Sequence, residues 1–225
     1  MLPSTPLISL IVPLREEPPE IARRLLALAG RFEIVVADGG CPPETRRILA
    51  ESGVRRIENT GASRGARLHE AARAASGEIL FFLHGDSTPP DDAAPAIASA
   101  VAAGAPAGCF RLAYDEPRAA YRWIAAWANI RTRLARLPFG DQGIFCTREA
   151  YARSGGFRDL PVCDDLDFAR RLRRLSGFRV LPQACRTSPH RYRGRAAAQV
   201  LLNWKVAAGY FLGVSPSTLE RWYRG

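Results

Sequence analysis

Five places in this chain carry residues whose types and spacing could do chemistry. Asp38 closes the run Glu33-Ile34-Val35-Val36-Ala37, and His84 and Asp86 follow the unbroken apolar run Ile79-Leu80-Phe81-Phe82-Leu83. Asp164 and Asp165 stand side by side with Asp167 close behind, and Arg64, Arg67 and His69 cluster ahead of them. A carboxylate and an imidazole at the end of a buried strand suit a metal or phosphate site, because ligands of open α/β sheets bind outside the carboxyl ends of the strands. For one isolated aspartate a polar turn is the simpler reading, but acids recur at corresponding places along the chain. Asp164 and Asp165 fit a helix start, where carboxylates meet the positive end of the dipole. They also fit a general base, since adjacent carboxylates repel each other. The arginines could reach a diphosphate or form a solvated basic face. His190, inside Ser188-Pro189-His190-Arg191-Tyr192-Arg193, suits a metal ligand, a phosphate donor or a plain surface position.

Positioning these groups requires strands that end beside one another. Apolar runs over 7–12, 33–37, 54–58 and 78–83 read as strands, and patterns over 19–29, 44–52 and 65–75 read as helices between them. Strands alternating with helices predict a parallel, right-handed, doubly wound sheet. Further on, helices are expected over 93–103, 121–137 and 164–175, and strands over 108–112 and 144–146, with Gly140-Asp141-Gln142-Gly143 as a loop. Leu166, Phe168, Ala169 and Leu172 should face inward. Residues 196–223 read as an aromatic-rich helical tail broken near Pro216.

Composition narrows the class. The chain has 225 residues, 47% of them hydrophobic, enough for one substantial core. Lys205 is the only lysine, so the net charge of +10 is almost all guanidinium, suited to phosphate and carboxylate contacts. Cys41, Cys109, Cys146, Cys163 and Cys185 are odd in number and widely spaced, which predicts free thiols in a reducing compartment. No secretory leader is expected from the first residues, nor a membrane-spanning helix: Gln199, Asn203 and Lys205 interrupt the best apolar stretch. A cytoplasmic protein, or one resting on the inner face of the membrane, is the expectation. The chain lacks a Gly-x-Gly-x-x-Gly fingerprint and a P-loop.

Taken in order, Val12-Pro13 with Glu16-Glu17, Val36-Ala37-Asp38-Gly39-Gly40, Arg64-Gly65, His84-Gly85-Asp86, Gly140-Asp141-Gln142-Gly143, Gly155-Gly156-Phe157 and Asp164-Asp165-Leu166-Asp167-Phe168 resemble glycosyltransferase family 2. The resemblance covers nearly the whole chain. More narrowly, His-x-Asp and Gly-Asp-Gln-Gly resemble a bacterial subgroup described as arsenosugar-biosynthesis or radical-SAM/selenodomain-associated glycosyltransferases. It implies the α/β GT-A fold, Rossmann-like with a mostly parallel sheet and a C-terminal helical tail. One domain over 1–225 is expected, with a nucleotide-binding half (1–90), an acceptor and catalytic half (91–195) and the tail (196–225).

The resemblance further implies a nucleotide-diphosphate-sugar donor, UDP-sugar favoured, and a divalent metal, Mn²⁺ or Mg²⁺. Asp165, with Asp164 beside it, matches the catalytic acid pair, and Asp165 the general base of inverting members. Donor contacts are implied for Pro13, Glu16, Asp38, Arg64, Arg67, His84 and Arg191, and metal contacts for Asp86, His84 and His190. Asp141 and Gln142 are expected at the acceptor, with the segment from Asp115 to Asp141 lining its site. The sequence departs from the family at His84, which stands for the usual first aspartate, at Arg67 and His69, which stand for glutamine and asparagine, and at Asp164, which stands for glutamate. Two other classes compete. A nucleotidyltransferase would want a Gly-rich basic loop after the first strand, where Leu14-Arg15-Glu16-Glu17 stands instead. A basic protein that binds nucleic acid or membrane fits the charge, but the arginines are scattered and no nucleic-acid motif occurs, so no nucleic-acid partner is expected. The tail is expected to pack on the core, form a homodimer or touch a membrane surface.

Overall fold

The first apolar run becomes β1 (Ile8–Leu14), every residue of which is buried. A strand buried on both faces belongs inside a helix-covered sheet. The computed structural model describes residues 7–59 and 62–224, apart from the Arg191 side chain. After β1 come α1 (Pro19–Leu26), β2 (Glu33–Asp38), α2 (Pro43–Glu51), β3 (Arg55–Glu58), α3 (Arg64–Ala74) and β4 (Ile79–Phe82). Proline opens α1 and α2, where its missing N–H costs nothing. Ser63 caps α3, its Oγ accepting the Ala66 amide at 3.2 Å.

The second half adds β5 (Ser87–Thr88), α4 (Ala93–Ala102), β6 (Ala107–Tyr114), α5 (Ala119–Ala135), β7 (Ile144–Thr147), α6 (Arg148–Ser154), α7 (Asp164–Leu172), β8 (Arg179–Thr187), α8 (Ala196–Phe211) and α9 (Pro216–Arg224). The strands form one mixed sheet in the order β3-β2-β1-β4-β7-β6-β8-β5. β1 to β4 are parallel, as expected, whereas β7 runs antiparallel to both β4 and β6, and β5 antiparallel to β8. The reversal of β7 has a use. Its preceding loop, Gly140 to Gly143, lands at the edge where β1 and β4 end. Because β1 pairs with β2 on one side and β4 on the other, that edge holds the topological switch point.

α6 and β8 were not legible as elements. In β8, Pro182 argues against a strand, since proline lacks the ladder donor. The structure accommodates it at an irregularity: Cys109 pairs with Val180 and Arg111 with Ala184, so the register shifts across Pro182.

Adjacent phenylalanines of β4 serve opposite faces of the sheet. Phe81 meets Phe32 and Phe110 at 5.8 and 5.7 Å between ring centroids. Phe82 meets Phe157 and Phe168 at 4.9 and 5.5 Å. Leu166, Phe168, Ala169 and Leu172 are buried, as the helical spacing predicts. Phe168 therefore pins α7 to the sheet and carries its N-terminus, Asp164 and Asp165, to the functional edge. The five cysteines are free thiols.

Candidate active site

Arg64 begins α3 and Asp164 begins α7, a hundred residues later in the chain. The guanidinium grips the carboxylate with both oxygens, Nε to Oδ2 at 2.9 Å and Nη2 to Oδ1 at 2.5 Å. Asp164 is buried, so the bidentate pair satisfies a charge that would otherwise be costly. Burial alone would push the Arg64 guanidinium down, but Asp164 and Asp165 hold it well above its ordinary value. Gly65 makes the approach possible, since a Cβ there would lie 2.2 Å from the carbonyl oxygen of Arg158. Cys163, before Asp164, sits at φ 61°, a left-handed conformation unfavourable for a residue with a side chain.

The third Arg64 contact decides the state of His84. Arg64 Nη1 lies 3.0 Å from His84 Nε2. A guanidinium only donates, so Nε2 accepts and the ring proton sits on Nδ1. His84 also packs against Gly140, where a Cβ would fall 2.3 Å from Nε2. Asp165 is oriented by the neighbouring loop: its Oδ2 accepts the Gly140 amide at 2.9 Å and its Oδ1 the Leu166 amide at 2.8 Å. It keeps 15% of its side chain exposed, against 3% for Asp164.

These groups face a cavity of about 360 Å³ whose walls include Arg64, His84, Asp86, Asp141, Asp164 and Asp165. Tyr114, Phe139, Tyr192, Asn203, Val206 and Tyr223 also line it. Arg131 stacks on Phe139, its guanidinium carbon 3.8 Å from the ring centroid. Asp86 Oδ2 and His190 Nδ1 are 3.5 Å apart, His190 being brought in by the 3₁₀ turn after β8. Among the described residues no group of three or more His, Cys, Asp or Glu side chains converges as a metal cluster. An oxygen and an imidazole donor this close nevertheless fit one shared hard or borderline cation completed by ligand oxygens. His84, with Nε2 committed to Arg64, fits that role less well. Cys163 lies in the wall as well. Burial, then Asp165 and Asp164, push its thiol up to about 12, so it is no nucleophile at neutral pH.

Other expected site residues lie apart. Asp38 is fully buried, and its carboxylate accepts Cys41 N at 2.7 Å, Gly40 N at 2.8 Å and Arg56 Nη1 at 2.6 Å. Glu16 is exposed beside Arg15. Pro13 lines a narrow crevice that continues from Arg64, His84 and Asp164. Arg67 is buried and donates to the Ala62 carbonyl at 2.7 Å; burial, then Arg15 and Arg64, push its guanidinium down. The Arg191 side chain lies outside the described residues. The expected acceptor contact of Gln142 is not what its side chain makes: Oε1 accepts from Thr132 Oγ1 and Arg131, and Nε2 donates to Phe110 O, all inside the protein. Of the segment from Asp115 to Asp141, only Phe139 and Asp141 reach the cavity.

Asp38 supplies a prediction. Burial pushes its carboxyl up, but the Cys41 amide, Arg56 and the Gly40 amide together hold it below the usual carboxylate range. A group whose folded value is depressed stabilises above its unfolded value, about 3.9, and loses that contribution as pH falls through the folded one. Acid unfolding followed by circular dichroism should therefore begin at higher pH in Arg56→Ala than in wild type. Coincident transitions would show that the pair contributes nothing.

The sequence pattern of glycosyl transferase family 2 matches residues 9–160. The chain belongs to that family. In this glycosyl transferase family 2 protein the match ends just before Asp164, so the Arg64 side of the ion pair lies within the matched segment and the acidic side beyond it. No curated protein matches the chain. Among solved structures it is similar to the mannosyltransferase PcManGT from Pyrobaculum calidifontis in complex with GDP-Man and Mn²⁺, at 20% identity and TM-score 0.62, covering 91% of this chain and 61% of that one. It is also similar to residues 1–349 of TarS from S. aureus, at 16% identity and TM-score 0.64, covering 83% and 62%. The same part of TarS in complex with UDP-GlcNAc matches at 16% identity and TM-score 0.61, covering 81% and 58%. The chain thus spans about three fifths of the length of these neighbours, and the likeness is one of fold: the mixed α/β sheet flanked by helices of GT-A glycosyltransferases.

The residues that sequence reasoning missed are mostly cavity-lining side chains outside the motifs. Tyr114, Asn203 and Val206 carry no motif; Tyr192, with its ring 5.8 Å from that of Tyr114 and its hydroxyl accepting from Asn203 at 3.2 Å, ties α8 to the end of β6. Tyr192, in the basic segment around His190, lines the cavity as well.

Proposed function

We propose that the chain transfers a sugar from a nucleoside-diphosphate sugar to a hydroxyl acceptor with inversion at the anomeric carbon. One observation carries this reading: Asp165, oriented by two amides and partly exposed, faces the same cavity as the Arg64–Asp164 pair and Asp86, whose carboxylate lies 3.5 Å from His190. Asp165 takes the proton of the acceptor hydroxyl as the acceptor oxygen bonds to the anomeric carbon. The bond from that carbon to the diphosphate oxygen breaks, and the electron pair leaves with the diphosphate. Arg64, preorganised by Asp164 and His84, stands where it stabilises the developing negative charge. Asp86 and His190 would hold a divalent ion, Mn²⁺ favoured by the imidazole, which when bound lends Lewis-acid stabilisation to the diphosphate.

The donor nucleotide belongs to the half before residue 90, through Pro13, Arg67 and the loop after Asp38, and the acceptor to residues 91–195 with Asp141 at its site. Asp38 and Gln142 then act by holding loops, not by touching substrate, since their polar atoms are already engaged. UDP is the favoured base carrier. The His84-Gly85-Asp86 and Gly140-Asp141-Gln142-Gly143 motifs support placement in the bacterial arsenosugar-associated subgroup, and the free thiols support a reducing, cytoplasmic setting.

Calorimetric titration with UDP and GDP, with and without Mn²⁺, tests the reading. Binding of one nucleotide should require the ion and should weaken at least about tenfold in Asp86→Ala, the loss of one charged ligand being worth more than about 1.4 kcal/mol. Failure of both nucleotides to bind under any metal condition would sink it.

A further inference from the structure

We propose that the face formed by α5 and α8 docks this protein onto the surface of an anionic lipid bilayer. On α5, Trp123, Trp127, Ile130 and Leu134 recur at the helical spacing that makes one stripe, and all four are exposed, Trp123 to 77% and Leu134 to 79%. The opposite stripe of α5, Tyr121, Ala125, Ala128 and Thr132, is the buried one. α8 repeats the arrangement with Leu201, Trp204 and Phe211 outward, and Leu212 follows at 83% exposed. The indoles of Trp127 and Trp204 lie 5.7 Å apart, so the two stripes join into one surface. Isolated exposed apolar residues need no explanation, but a continuous stripe with three tryptophans marks an interaction site.

Charge selects the occupant. Residues 117–140 and 168–219, which contain both helices, hold fifteen of the 32 arginine and lysine residues and none of the 22 acidic ones. Arg122 and Arg133 are exposed on α5 beside its apolar stripe, and Lys205 is exposed beside that of α8. A second copy of the chain would bring this cationic rim against its own like, whereas anionic headgroups complement it. Tryptophan suits the interface between headgroups and acyl chains. No described helix is long and apolar enough to cross a membrane, so the helices would lie on the surface. The inner side of α8, through Asn203 and Val206, lines the active-site cavity, so docking would set that cavity beside the bilayer. The inference stands apart from the catalytic reading and can fail without it.

Flotation of the full chain with vesicles of phosphatidylcholine, and of phosphatidylcholine mixed with phosphatidylglycerol, tests this. The chain should float with the anionic vesicles, less so at high salt, with a blue shift of tryptophan emission. The double variant Trp123→Ser/Leu134→Ser, altered only at highly exposed positions, should lower partitioning at least about tenfold. Arg122→Glu/Arg133→Glu, with the stripes intact, should lose the preference for anionic vesicles. Absence of binding, or equal binding to both vesicles, overturns the proposal. So does a dimer in light scattering that Trp123→Ser/Leu134→Ser dissolves, because the face would then be covered by a second copy.

Discussion

Asp165→Asn lowers turnover by about 10²–10⁴-fold while leaving donor affinity near the wild-type value. The amide keeps the shape of the carboxylate and still offers an oxygen to the Gly140 or Leu166 amide, so the loop stays in place. What disappears is the capacity to take a proton from the acceptor. The effect should fall on kcat and kcat/KM together, as for a group used only in the transition state. Asp164→Asn provides the contrast. It breaks the bidentate grip on Arg64 and should weaken donor binding and stability as well as turnover. Steady-state kinetics with donor titration on both variants separates the roles. If Asp165→Asn kept full kcat, or lost donor affinity as steeply as turnover, Asp165 would not be the base.

Arg64→Ala carries the largest expected cost in stability. It leaves Asp164 buried without its cation, and orphaning one member of a buried pair costs about 3–5 kcal/mol. Arg64 keeps 30% of its side chain exposed, so the lower end, about 3 kcal/mol, is expected in urea unfolding. Arg64→Lys retains a charge without the two-pronged contact and should recover only part of both stability and activity. The pair Arg64→Ala/Asp164→Ala should regain much of the lost stability, because no buried charge is left unpaired, yet remain inactive. A single Arg64→Ala variant as stable as wild type would mean that water reaches Asp164 freely.

The early strands, their helices and the residues at their ends were legible in the sequence, because a buried strand is an unbroken apolar run and its end is marked by an abrupt polar residue. The resemblance in motif order likewise led to the family. The meaning of those residues was not legible. Asp38 and Asp86 look alike as strand-terminal acids, but one is sealed by Arg56 and two amides while the other faces the cavity beside His190. Gln142 reads as a substrate contact and turns out to be a buried brace. His84 and His190 were equal candidates for a metal until Arg64 was seen to occupy the Nε2 of His84.

What the sequence by itself determined is the early strands, most of the helices and the types of chemical group at their ends, since these follow from local patterns of apolar and polar residues. The tertiary structure alone decided which groups meet. Arg64 and Asp164 are a hundred residues apart, β7 had to run backwards to bring Gly140 to Asp165, and two helices far apart in the chain had to pack before their tryptophans made one face. Pairing across such distances depends on strand order and helix packing, which no local pattern encodes.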